Sequence, residues 1–123
     1  MDNPLSRVRG LGSAKEGTEQ WWLQRLTAIA LVPLVIWYVI SLVTLIGADR
    51  EAVVAWLQSP FAAIASVLLI VATFHHGQLG IQVVIEDYVH TPWLKTTLLL
   101  LNKFGAIVLG ATAIFAVLKI AFS

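Results

Sequence analysis

From Leu26 to Ala48 the chain runs for 23 residues without a charge. A helix rises about 1.5 Å per residue, so roughly 20 apolar residues cross the hydrocarbon layer of a bilayer. This run predicts a first span over about 22–48, entered through Trp21, Trp22 and Arg25 and closed by "GADR". Pro33 lies inside it and predicts a kink over Ile29 to Pro33. A second uncharged run, Ala52 to Ile85, has 34 residues, too many for one crossing. Pro60 divides it, preceded by Gln58 and Ser59. The division predicts a short interfacial helix over Glu51 to Leu57. A second span over about 60–86 then starts at the proline, which suits a first helical turn. A third span is predicted over about 94–121, although its charge-free centre, Phe104 to Leu118, is only 15 residues long. Asn102 and Lys103 interrupt its apolar pattern. Lys103 reads first as a side chain snorkelling to the interface; the alternative is a polar site between helices.

The pattern therefore predicts an all-α membrane protein. Residues 1–20 form an N-terminal segment and residues 21–123 a membrane unit of three transmembrane helices. Composition agrees: 59% of residues are hydrophobic and 12% charged, against about 25% charged in soluble domains. The net charge of +1 offers no basic excess for nucleic acid. The absence of cysteine excludes thiolate metal sites, a thiol nucleophile and a disulfide framework. The first twenty residues hold no apolar core of a secretory signal, and Asp2, Glu16 and Glu19 do not suit a transit peptide. The expectation is an uncleaved bacterial chain. Arg7, Arg9, Lys15 and Arg25 flank the start of the first span, and Lys95 lies between the second and third. Arg50 and Lys119 are the basic residues on the other side. The positive-inside rule then places the N-terminus in the cytoplasm and the C-terminus in the periplasm of a bacterial inner membrane.

One stretch does not read as lipid-facing. "HHGQLGIQVVIEDYVH", residues 75–90, contains all three histidines and two of the seven acids. At about 100° per residue, His76, Gly80, Val83 and Asp87 share a helical face. His76 then lies about 16 Å from Asp87 along the axis, inside the hydrocarbon layer, with Asp87 at the rim. An intramembrane histidine needs a partner: a hydrogen bond across helices, a proton relay or a metal. Without thiols or a carboxylate at that depth, zinc is a poor fit. Haem iron needs one histidine per helix, and Gly77 and Gly80 would let a flat macrocycle approach the backbone. The alternative is that His76 serves only to bond a neighbouring helix while the glycines permit close packing. Spacing leaves both readings open. His75 and His76 point about 100° apart and cannot share one iron. A bis-histidine haem would thus take its second ligand from another chain, making the three spans part of a hetero-oligomeric helix bundle. Arg25 suits propionate pairing as well as it suits anchoring to lipid phosphates. Tyr88 fits an aromatic belt or a hydrogen bond to a quinone carbonyl, with Asp87 or His90 near a proton path.

The pattern H-x3-G-x6-D-Y, here His76, Gly80, Asp87 and Tyr88, resembles the second-span signature of the succinate dehydrogenase hydrophobic membrane-anchor (D) subunits of bacterial respiratory complex II. "QRLTAIAL", Gln24 to Leu31, resembles the start of that family's first helix. The likeness extends over about residues 17–120. It implies a four-subunit complex in which a flavoprotein subunit oxidises succinate and an iron–sulfur subunit carries the electrons. Two small membrane chains, C and D, anchor them, share haem b and complete the ubiquinone pocket. By this resemblance His76 would be an axial ligand of the haem iron and Arg25 would lie near the propionates. Tyr88 would bond the quinone beside Asp87, and the partner C subunit would supply the other haem ligand. No succinate-oxidising residue is expected on this chain. One position departs from the pattern: a histidine precedes the first-helix arginine in the family, whereas "GTEQWW" stands here, with Glu19 and Gln20. The sequence also admits two other readings, a haem-free structural anchor of a fumarate reductase and a small proton-path subunit of a transport complex.

Overall fold

A computed structural model describes the backbone of residues 14–123 and side chains from residue 18. Four helices follow in order: α1 (Ala14–Thr44), α2 (Arg50–Gln58), α3 (Pro60–Tyr88) and α4 (Pro92–Ala121). Three of them, over Thr18–Thr44, Pro60–Tyr88 and Pro92–Ala121, are long and apolar enough to cross a membrane. The protein is a multi-pass membrane protein of helices alone among the described residues. Helix α1 begins before the expected entry at residue 22 and continues through Pro33 as one element. The residues around Pro33 supply no helix stop, and a transmembrane helix tolerates the missing N–H.

The split between α2 and α3 follows local chemistry. Asp49 caps α2, its side chain accepting from the Ala52 N–H at 2.9 Å. Ser59 ends α2 and caps α3 at once, its hydroxyl accepting from the Ala62 N–H at 3.2 Å, with Pro60 in the first turn. Such a cap is worth about 1 kcal/mol. The turn after α1 uses Gly47 at φ 81°, a conformation that costs a side chain-bearing residue more. At that end Trp37 of α1 stacks on Trp56 of α2 at 5.7 Å and meets Phe61 of α3 edge-on at 5.6 Å. Gln58 donates to the Ile120 carbonyl at 3.4 Å and to the Ser123 backbone oxygen at 3.1 Å, which ties α2 to the end of α4.

Helix α3 is the centre of the bundle. It packs on α1 along one side and on α4 along another, while α1 and α4 share no close backbone approach. Its buried positions are mostly small: Ala62, Ala65, Ser66 and Ala72, followed by Leu79 and Ile85. Small residues let helices approach where lipid removes the hydrophobic drive to associate. On α4 the buried residue is Gly110, against which the Phe74 ring lies. The large apolar side chains point outward, as expected of a surface solvated by lipid or by other membrane chains.

Candidate functional site

His76 projects from α3 toward α1, where its Nδ1 lies 3.1 Å from the Thr27 hydroxyl. Thr27 also sits 2.8 Å from the Leu23 carbonyl and 3.0 Å from the Gln24 carbonyl of its own helix. The other ring nitrogen, Nε2, has no hydrogen-bond partner among the described residues and is not sealed by protein. His75 contrasts with it: its Nε2 is buried without a partner. The adjacent histidines are therefore separated as helical geometry demands, and the unsealed nitrogen belongs to His76.

Depth is consistent with an intramembrane position. His76 stands twelve residues before the end of α3, about 18 Å along the axis. Helix α3 is about 44 Å long against a hydrocarbon layer of about 30 Å. Centred in the layer, it carries His76 about 11 Å below the surface. Asp87 and Tyr88 occupy its last turn and are exposed, Tyr88 at 77%. Neither side chain makes a hydrogen bond among the described residues. His90 follows the helix and is exposed in the connection to α4.

Arg25 is exposed on α1, its guanidinium 4.9 Å from the centre of the Trp21 ring. No ion pair joins it to Asp87 among the described residues. It lies two residues before Thr27, so the two side chains leave α1 about 160° apart. Gly80 shares the His76 face, and a Cβ built there would meet nothing of this chain within 4 Å. Gly77 does not share it. It lines a groove between α3 and α4 with Thr73, Asn102 and Gly105, because one residue rotates it about 100° from His76. A Cβ built at Gly77 would likewise meet nothing within 4 Å, and of the two glycines Gly80 is the one on the His76 face.

A polar ladder escaped the sequence reading. Asn102 of α4 donates to the Gln78 carbonyl at 2.9 Å. The Gln78 amide donates to Gln82 at 3.2 Å, and Gln82 to Glu86 at 3.0 Å. Spacing of four residues puts these side chains on one face, and that spacing was the available signal. Lys103 is exposed beside His75 and Gln78 in a groove between α3 and α4.

A histidine that ligates a metal or a metallated macrocycle presents one ring nitrogen while the other is held by a hydrogen bond; His76 has its Nδ1 held and its Nε2 open. Clusters of three or more His, Cys, Asp or Glu side chains able to hold a bare ion are absent among the described residues.

Over residues 1–118 the sequence matches the family described as succinate dehydrogenase/fumarate reductase transmembrane subunit. The chain belongs to that family. Among curated relatives, the succinate dehydrogenase hydrophobic membrane anchor subunit of Rickettsia conorii is 34% identical over 105 residues, 85% of this chain and 83% of its own. Its namesake in Rickettsia bellii is 33% identical over 92% of this chain and 90% of its own. That of Paracoccus denitrificans is 30% identical over 94% of this chain and 89% of its own. Family membership and the three apolar helices together give the intramembrane histidine its context: the chain is similar to anchors of an oxidoreductase complex.

Proposed function

We propose that this chain is a membrane-anchor subunit of succinate:quinone oxidoreductase that ligates haem b through His76 and forms part of the ubiquinone site. The observation that carries the proposal is the state of His76: Nδ1 engaged by Thr27, Nε2 open on the bundle surface at intramembrane depth. Bound there, haem b supplies one-electron redox chemistry; the chain's residues supply position and electrostatics.

The second axial ligand belongs to another membrane chain. His75 is turned away with its Nε2 sealed, and His90 stands beyond the end of α3. This argues for a C-type partner subunit across the open face of α1 and α3. The iron–sulfur and flavoprotein subunits dock at the end carrying Tyr88 and the α3–α4 connection, which the positive-inside rule assigns to the cytoplasm of a bacterial inner membrane. Quinone reduction consumes protons as well as electrons, so a quinone site benefits from contact with water. Tyr88 offers a free phenolic donor at that rim, and Asp87 a carboxylate beside it to hold or pass a proton. Arg25, at the same end of the bundle, is the cation available to propionates; the fork of its guanidinium favours carboxylates.

The test is the reduced-minus-oxidised spectrum of the purified complex. A b-type signal that disappears or changes its ligation signature in His76→Ala is the expected result. An unchanged spectrum removes the ligand assignment, and a complex that never carries haem favours a purely structural anchor.

A further inference from the structure

We infer that Thr27 is a positioning residue that sets the tautomer and orientation of His76, an inference that rests on the haem-ligand reading above. The hydrogen count carries it. A threonine hydroxyl has one hydrogen and can accept as well as donate. Around Oγ1 stand two carbonyl acceptors, Leu23 O at 2.8 Å and Gln24 O at 3.0 Å, and the His76 Nδ1 at 3.1 Å.

Only one tautomer uses both hydrogens. With the proton on Nδ1, the ring donates to Oγ1 and the hydroxyl donates to a carbonyl of its own helix. With the proton on Nε2, the hydroxyl must turn to Nδ1, and the Nε2–H has no acceptor among the described residues. An N–H left without a partner in an apolar layer is costly. The Nδ1–H form is therefore preferred, and it directs the Nε2 lone pair outward. Thr27 does for this ring what the outer-shell carbonyl or carboxylate does for histidines at metal sites. The device is prebuilt: the back-bond to Leu23 or Gln24 orients the threonine before any ligand arrives.

An acceptor at Nδ1–H also raises the donor strength of Nε2, which favours the oxidised metal. Removing it shifts the haem midpoint potential upward. Thr27→Val keeps the shape and deletes the acceptor; Thr27→Ser keeps the oxygen and deletes the methyl. In the purified complex, Thr27→Val should lose haem about 10- to 100-fold more readily and show a positive shift in midpoint potential. Thr27→Ser should match the parent in both. Parental haem retention and potential in Thr27→Val would overturn the inference, as would a Thr27→Ser complex displaced as far as the valine one. If Thr27→Val carries no haem, the serine variant decides: parental behaviour supports the hydrogen bond, and shared loss assigns the effect to packing. His76→Ala separates the two levels. Haem retained there defeats the ligand reading itself, whereas haem lost there with an unaffected Thr27→Val removes Thr27 only.

Discussion

Gly110 of α4 lies against the Phe74 ring of α3, and its substitution has opposite outcomes at two sizes. A Cβ at Gly110 would stand 3.6 Å from the Phe74 Cγ and 3.7 Å from its Cβ and Cδ2. Those distances fall in the optimal range for carbon pairs, each worth about 0.1–0.2 kcal/mol, so the three contacts sum to about 0.3–0.6 kcal/mol. Replacing a glycine within a helix adds at most about 1 kcal/mol. Gly110→Ala should therefore stabilise the helix pair by about 0.5–1.5 kcal/mol. Gly110→Ile adds three more carbons, reaching two bonds of about 1.5 Å each beyond that Cβ, against a ring already in contact. Overpacking of that kind costs about 1–3 kcal/mol. Phe74 lies two residues before His76 on the same helix, so the isoleucine variant should also loosen the His76–Thr27 contact and lower haem content. Thermal unfolding of the purified complex, followed with haem absorbance, reads both effects. An alanine variant destabilised by more than about 1 kcal/mol, or an isoleucine variant as stable as the parent, would refute the Gly110–Phe74 seam.

Two further outcomes follow from the rim and from the far end. Tyr88→Phe should lower succinate–quinone reductase activity several-fold or more while leaving succinate oxidation by an artificial acceptor near the parental rate; equal losses in the two assays would remove Tyr88 from the quinone site. Trp56→Ala deletes ring pairs with Trp37 at 5.7 Å and Tyr38 at 6.4 Å, each worth about 0.5–1.5 kcal/mol, so the complex should lose about 1–3 kcal/mol of stability with its haem spectrum unchanged.

Much of the architecture was legible along the chain because its causes are local. An uncharged run of sufficient length must either cross lipid or be buried, and its length limits the number of crossings. Pro60 after Ser59 marks a helix boundary by sterics and capping alone, so the short helix of Arg50–Gln58 was separable from the span that follows. The site was legible in part. The face shared by His76, Gly80 and Asp87 follows from helical rotation, and so does the separation of His76 from His75.

The remainder depends on how three helices are set against one another. Thr27 stood in the sequence as one polar residue in an apolar span, with nothing to show that it would meet His76 across 49 positions. The same is true of Asn102 and Gln78, and of Gly110 and Phe74. Helical periodicity says which residues share a face but not which face a neighbour covers, and only the packing shows that Gly77 lines the groove toward α4. Periodicity and hydropathy are properties of one helix in lipid, and they determined the spans and the depth of the histidine. The rotation of α3 is fixed by contacts on two sides, His76 on Thr27 toward α1 and Phe74 on Gly110 toward α4. That rotation, a tertiary property, decided which imidazole nitrogen is held and which is left open.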